Sequence, residues 1–286
     1  MKIVNKIYTA LILLLLYAPI LVLMLFSFNS TSNTGVFTGF SLYWYQELFR
    51  SAATFTALKN TLVLAISSAC LSTLIGTMAA VGLRNMRNKY VKGLITSVTN
   101  IPMMNPDIVT GISMMLLFVF VGTMLGLQDK LNFWTLLIAH TTFNIPYVIL
   151  NVTPKLQQMD KHLPEAALDL GCTPLQAFFK VELPCIFSGI VTGFIMAFTL
   201  SLDDFVISYF CSGSDFQTLP ILIYSMTKKE VTPDIYALST LMIVAILLLL
   251  ILSNLTGNKE ERQQLRALKR KRGLHKREVI EEEEEA

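Results

Sequence analysis

Long apolar runs separated by polar stretches dominate the pattern of this chain. A bilayer core about 30 Å thick needs a helix of about 20 apolar residues, and six runs meet that length. They cover roughly residues 7–28, 57–83, 94–120, 131–152, 186–211 and 234–255. The pattern therefore predicts an all-α membrane protein with six transmembrane helices, whose two termini lie on the same side of the membrane.

The first run fits either a signal peptide or a retained helix. Its apolar core, Ile7 to Phe28, is longer than the 7–15 residues of a signal-peptide core, and no small-residue cleavage site follows. We therefore expect a retained helix. The chain then divides into the first transmembrane helix with its outer loop (1–56), a transmembrane domain (57–255) and a cytoplasmic tail (256–286). The tail is basic and then rich in glutamate, which predicts disorder.

A polar segment between the fourth and fifth runs, EAALDLGCTPLQAFFKVELP (165–184), predicts two short helices. Pro164 and Glu165 begin the first, because proline fits the first turn and a carboxylate favours the positive end of the helix dipole. Gly171 ends this helix, and Thr173 is placed to cap the second. Helices this short are marginal in water. We therefore expect the pair to dock on a partner protein.

Composition and charge place the chain in the membrane and orient it. Of its 286 residues, 53% are hydrophobic and 15% charged, with a mean hydropathy of +0.56. The net charge of +3 is spread over helix ends and does not indicate nucleic-acid binding. With both termini in the cytoplasm, 18 Lys and Arg residues lie inside and 5 outside. Because basic residues collect on the cytoplasmic side, the 153–185 loop is expected to face the cytoplasm.

The sequence contains no pattern for catalysis or for a bound cofactor. It has no G-x-x-x-x-G-K-[ST] phosphate loop, so any ATP that drives it is hydrolysed by a separate protein. The four cysteines form no C-x-x-C pair and are interpreted as small apolar residues. Three scattered histidines make no metal site, and no nucleophile lies beside a base. We expect a protein that is not an enzyme and needs no cofactor or metal.

Three aspartates fall within the apolar runs: Asp107 near the middle of the third, and Asp203 and Asp204 in the outer half of the fifth. A carboxylate at the bilayer centre costs about 2.5–3.5 kcal/mol, so these groups should face a cavity or a partner. Adjacent helical residues point about 100° apart. Because Asp204 lies beside a stripe of small residues, we assign Asp203 to a cation path and Asp204 to hydrogen bonding between helices, while Asp204 stays a further candidate for the path. A packed structural role stays open for all three.

Other residues in the runs predict how the helices meet. Pro102 and Pro106 interrupt the third run, which predicts a broken helix. The fifth run has a small residue at every fourth place, a spacing that favours close helix contact in a multi-helix body that includes a second subunit. These positions are Gly189, Gly193, Ala197 and Ser201.

Two polar or amphipathic residues have alternative roles. His140, in the fourth run, suits either a proton relay or a hydrogen bond between helices, and we favour the second. Trp44, in the aromatic part of the outer loop, suits either the membrane–water interface or a surface that meets an external partner or a substrate.

Segment 165–184 resembles the EAA loop of ABC importer permeases, in which EAA, a glycine and Ile-x-Leu-Pro recur at fixed spacing. Val181 in place of Ile is the only departure. The matching residues are Glu165, Ala166, Ala167, Gly171, Val181, Leu183 and Pro184. From about residue 1 to 255, the segments NPDIVTGIS, AHTTFNIPYVI, TLSLDDFVIS and LPILIYSM and the WY pair of the outer loop are similar to PotC-type permeases of spermidine/putrescine importers.

This resemblance implies a MetI-like ABC importer permease fold in the bacterial cytoplasmic membrane. It implies a heterodimer with a PotB-like sister permease, a PotA-like ATPase dimer and an external PotD-like substrate-binding protein. The EAA loop, within a coupling loop at 160–185, would couple the ATPase to the membrane helices, and the implied substrate is a polyamine. The resemblance favours Asp107 and Asp203 as substrate-facing, and a ring such as Trp44 would add cation–π attraction.

Two alternatives to a polyamine permease stay open from the sequence. One keeps the ABC permease and changes the cargo to another cation or a small polar solute. The other is a secondary transporter driven by an ion gradient, supported only by the broken third helix and the intramembrane acids.

Overall fold

A computed structural model of the chain describes residues 2–31, 35–160, 162–214, 216–228 and 233–251, with side chains from residue 6 onward. The tail predicted at 256–286 lies outside the described residues. Helices account for nearly all of the described secondary structure. They are α1 Lys2–Phe26, α2 Tyr43–Arg50, α3 Ala52–Asn85, α4 Lys89–Met104, α5 Asp107–Met124, α6 Phe133–Gln158, α7 Leu163–Asp169, α8 Pro174–Ala177, a π-helical turn Phe178–Glu182, α9 Leu183–Asp203, α10 Val206–Cys211, α11 Leu219–Thr227 and α12 Pro233–Ile251.

Six helices of the described chain are long and apolar enough to cross a membrane, which confirms the predicted fold class. They are the helices that cover Lys6–Phe26, Ala52–Asn85, Asp107–Met124, Phe133–Gln158, Pro174–Asp203 and Pro233–Ile251. Two predicted runs have different bounds. The third spanning helix is α5, Asp107–Met124, rather than 94–120. The fifth, predicted at 186–211, begins twelve residues earlier and ends at Asp203.

The break in the third run has a local cause. Pro106 has no N–H and an extended backbone (φ −58°, ψ 134°), and it directly precedes α5. Proline also disfavours helical geometry in the residue before it, here Asn105. Pro102 stays within α4, two residues before its last residue, so the predicted interruption is confirmed at Pro106 and wrong at Pro102. Asp107 consequently begins α5, and its predicted place near the middle of a span is wrong.

The described residues form two compact units, which we treat separately. The first comprises 1–69, 100–144 and 198–247, and the second comprises 70–99, 145–197 and 248–286, both limited to their described parts. In the first unit, α10 packs against α5, where a methyl group on Gly111 would lie 3.1 Å from the ring of Phe210. The same unit holds an apolar cluster from α2, α3, α11 and α12, formed by Leu48, Ala57, Leu219, Ala237 and Leu238.

The second unit packs helices closely through glycines. A methyl group on Gly193 of α9 would lie 3.3 Å from Val148 of α6, and one on Gly76 of α3 would lie 2.8 Å from the same valine. One on Gly189 would lie 2.8 Å from the Asn151 carbonyl. The close contact predicted from the small-residue stripe is therefore confirmed, and at both stripe glycines it is made with the chain's own α6.

Candidate functional site

The 165–184 segment begins with a helix whose ends follow from its sequence. Pro164 lies in the first turn of α7, and the exposed Glu165 carboxylate is 3.1 Å from Nδ1 of His162. At the other end, Gly171 has a φ of +87°, its N–H donates to the Leu168 carbonyl, and the N–H of Cys172 donates to that of Ala167. This pair of bonds is a Schellman motif, which needs a residue in the left-handed region after the helix. The predicted first helix and its glycine stop are confirmed.

The second helix of the segment is not a separate element. Thr173 and Gln176 form a reciprocal capping box, in which the Thr173 hydroxyl accepts from the Gln176 N–H and the Gln176 side chain accepts from the Thr173 N–H. The predicted cap is therefore confirmed. From Pro174 the chain stays helical through the π-helical turn into α9, so a single helix runs from Pro174 to Asp203. The prediction of two helices is therefore confirmed at both starts, but the second is not short, because it continues into α9.

Few side chains of the same segment are buried, and several large apolar ones are exposed. Ala167 and Ala177 are buried where α7 packs against α8 and the π-helical turn. Leu170 is 86% exposed, Leu175 71% and Phe179 59%. Of the residues matched to the EAA pattern, Glu165, Ala166, Gly171 and Pro184 are exposed, and Val181 and Leu183 are half-buried. Exposed leucines on a well-capped segment are typical of a surface that meets another protein.

The fifth run is interrupted after Asp203, which overturns the prediction of one helix through both acids. Asp203 is the last residue of α9 and is exposed. Asp204 lies outside any helix. Its Oδ2 accepts from the Ser208 N–H at 2.8 Å and its Oδ1 from the Ile207 N–H at 3.4 Å, which satisfies the free amides at the start of α10. The two carboxylates therefore differ because one ends a helix and the other caps the next.

A buried polar cluster surrounds this break. His140 of α6 is 1% exposed, and its Nε2 lies 3.5 Å from Oδ2 of Asp204 and 3.1 Å from the Ser208 hydroxyl. Its Nδ1 lies 3.2 Å from the Ser201 hydroxyl of α9. Ser201 also accepts from Nδ2 of Asn144 at 2.7 Å and lies 2.8 Å from the Ser68 hydroxyl of α3. The predicted hydrogen bonding of His140 between helices is confirmed. The role of Asp204 in such bonding, which the sequence predicts, agrees with its position here.

The other predicted site residues lie apart from this cluster. Asp107 is exposed as the first residue of α5. Trp44 is half-buried on α2, where its Nε1–H donates to the Asn29 carbonyl at 2.8 Å and its ring packs on the apolar cluster of the first unit. Within the described residues, no hydrogen bond or ion pair joins Asp107 or Trp44 to Asp203 or Asp204. Their roles in a substrate path stay predictions.

Sequence reasoning missed Ser68 and gave Asn144 no role. His140 and Asn144 are four apart on α6, so they share one helix face, and that spacing is a signal the sequence does contain. Ser68 has no comparable signal, because its partner Ser201 is 133 positions away. Among the described residues, no group of three His, Cys, Asp or Glu side chains could hold a metal ion.

The fold and the capped loop define a class of membrane transport protein, and comparison with known proteins identifies it. Residues 72–257 match the family described as "Binding-protein-dependent transport system inner membrane component". The chain is 39% identical over 258 residues to the putrescine transport system permease protein PotI of Escherichia coli strain K12, covering 90% of this chain and 92% of that protein. It is 38% identical over 244 residues to the spermidine/putrescine transport system permease protein PotC of Haemophilus influenzae, covering 85% and 92%.

The backbone is also similar to a solved transporter. It matches a chain from the crystal structure of a bacterial alginate ABC transporter in complex with an alginate pentasaccharide-bound periplasmic protein. The TM-score is 0.70 at 16% identity, covering 90% of this chain and 94% of that one. At this identity the match establishes the fold.

The chain belongs to the family of binding-protein-dependent transport system inner membrane components. It is accordingly a membrane permease subunit of an ABC importer and resides in the inner membrane. An external binding protein and an ATP-binding-cassette ATPase are its partners in general terms.

Proposed function

We propose that this permease moves polyamines, spermidine or putrescine, across the cytoplasmic membrane. The observation that carries the proposal is its similarity, over 85–90% of its length, to relatives named for putrescine and for spermidine/putrescine transport. The exposed carboxylates of Asp107 and Asp203 also support it. Asp107 begins the apolar helix α5 and Asp203 ends the apolar helix α9, and at either place a bound cation would replace the water around the carboxylate. The partners would be a PotB-like sister permease, a PotA-like ATPase dimer and a PotD-like binding protein.

Uptake by the complete complex in proteoliposomes tests the substrate. We expect ATP-dependent accumulation of labelled putrescine or spermidine, and lower rates in D203N and D107N with assembly unchanged. D129N is the matched control, because Asp129 is an exposed acid in a loop. Unchanged uptake in both D203N and D107N would remove their substrate role. Transport of a different solute, with no polyamine bound by the partner binding protein, would remove the polyamine.

We further propose that α7 and α8 lie in a groove of the ATPase and carry its closure to the membrane helices. The capped ends of the segment and its exposed leucines support this role. A coupling element must keep its shape under load, and the Schellman motif at Gly171 fixes the turn between the two helices.

A matched pair of glycines tests the coupling role. Gly126, after α5, makes the same pair of hydrogen bonds at a φ of +68°, and like Gly171 it has open space where a methyl group would go. Alanine at either position costs about 1–2 kcal/mol of backbone strain. We expect G171A to lower ATPase stimulation and uptake, and G126A to leave both near wild type. Equal losses in the two variants would refute a specific coupling role.

We propose, from the distribution of Lys and Arg, that both termini and the 153–185 loop face the cytoplasm. Single cysteines at Gln128 and Gln158, which are both exposed, test this in a background without the native cysteines. A membrane-impermeant thiol reagent should label position 128 in intact cells and position 158 only after permeabilisation. The reverse pattern would invert the orientation.

A further inference from the structure

Three aromatic rings meet beside the break in the fifth run. Phe205 follows Asp204 directly, Tyr209 lies on α10 and Tyr224 on α11. The ring centroids are 4.6 Å apart for Phe205 and Tyr224, 5.4 Å for Phe205 and Tyr209, and 5.9 Å for Tyr209 and Tyr224. Tyr209 is 47% exposed and Tyr224 39%. We call these three residues the aromatic triplet.

One ring of the aromatic triplet, that of Tyr224, already contacts a primary ammonium group. Nζ of Lys228, the residue after α11, lies 4.8 Å from the centroid of the Tyr224 ring, within the distance of a cation–π contact. A lysine side chain ends in a CH₂–NH₃⁺ group on an aliphatic stem, and each end of a polyamine has the same structure. The geometry that receives Lys228 is therefore one that a polyamine end can also use.

The position of the aromatic triplet also suits a cation with more than one charge. The exposed carboxylate of Asp203 is two residues before Phe205, so an acidic group and an aromatic face occur in one short stretch of chain. Asp204, by contrast, is turned to His140 and the α10 amides. A polyamine offers separate ammonium groups to a carboxylate and to an aromatic face, whereas a monovalent inorganic cation offers one.

We propose that the aromatic triplet is a subsite for one ammonium group of the transported polyamine, and that Lys228 occupies it when no substrate is bound. The inference rests on the polyamine function proposed above and adds the subsite and its internal competitor. Substrate must displace Lys228, so this lysine weakens binding at the Tyr224 ring.

Initial uptake rates in the reconstituted complex, measured as KM and kcat, test the subsite. Y224L removes the π face and should raise KM by about two- to fivefold, whereas Y224F keeps the face and should stay near wild type. K228Q removes the competitor and should lower KM by about twofold. K59Q is the control for loss of a single exposed lysine charge and should leave KM unchanged.

The outcomes separate this inference from the proposed function. If the wild-type complex carries no polyamine, the proposed function and the subsite are both refuted. If it carries polyamine but Y224L behaves like Y224F and K228Q behaves like K59Q, only the subsite is refuted. Should Y224L fail to assemble, K228Q decides together with the Y209L and Y209F pair, where a raised KM only in Y209L supports the subsite and equal KM values overturn it.

Discussion

Two apolar runs of this protein are interrupted, and the interruptions have different causes. Between α4 and α5 the break is at a proline, and Asn105, Pro106 and Asp107 are all exposed. Between α9 and α10 neither proline nor glycine is present from Leu202 to Val206. There the chain leaves the helix because Asp204 caps α10 and meets His140 in a buried cluster. The first break is specified locally and the second by contacts from distant parts of the chain.

This difference decides what each break is expected to tolerate. A locally specified break survives changes around it, since the backbone preference is in the residue itself. A break held by buried polar groups depends on each partner, because a buried group left without one is costly. Substitutions at Asp204, His140, Gly111 and Pro106 test the comparison, beginning with the largest expected effect.

Replacing Asp204 should have the largest effect. D204L removes the α10 cap and the acceptor beside His140, and we expect a loss of about 2–4 kcal/mol in the unfolding free energy of the purified protein. D204N keeps a capping side chain of the same size and should retain most of that stability. Thermal unfolding in detergent measures both. Equal stability of D204L and wild type would show that the second break does not depend on this carboxylate.

Replacing His140 comes next. H140L leaves the hydroxyls of Ser201 and Ser208 with fewer partners, and we expect a loss of about 1–3 kcal/mol. H140Q, which still offers a donor and an acceptor, should lose less. The readout is again thermal unfolding of the assembled protein. If H140Q is as unstable as H140L, ring packing rather than hydrogen bonding is what His140 contributes.

A smaller effect is expected at Gly111, where α5 meets α10. In G111A the new methyl group would lie 3.1 Å from the Phe210 ring, so the ring must shift, and we expect a loss of about 1 kcal/mol. G82A is the control, because Gly82 lies in α3 with open space at its Cβ position. Alanine there should be neutral or stabilising by up to about 1 kcal/mol. If G111A is more stable than wild type, α5 and α10 move apart without cost to make room for the methyl group.

The smallest effect is expected at Pro106. P106A restores one backbone N–H at an exposed site that takes part in no buried cluster, and we expect a stability change below about 1 kcal/mol. Polyamine uptake by the P106A variant shows whether the orientation of Asp107 at the start of α5 affects transport. A loss as large as that of D204L would contradict the local origin of the first break.

The difference between the two breaks also explains which features of the fold the sequence predicts. Six apolar runs, the capped start at Thr173, the glycine stop at Gly171 and the break at Pro106 all follow from local rules, and the structure confirms each. The end of α9 at Asp203 does not follow from local rules, because the partners of Asp204 include His140, 64 positions earlier. By contrast, Tyr224 and Lys228 are four apart at the end of α11, so their contact is one that helical spacing does predict.

The single helix from Pro174 to Asp203 has a mechanical consequence. The part of it within the second unit, Pro174 to Ala197, is 24 residues long, and at about 1.5 Å each these make a rod of about 36 Å. As a lever of that length, a tilt of about 5° at its capped start would displace Ala197 by about 3 Å. The wider π-helical turn, only four residues into the rod, is the point where such a lever would bend most easily.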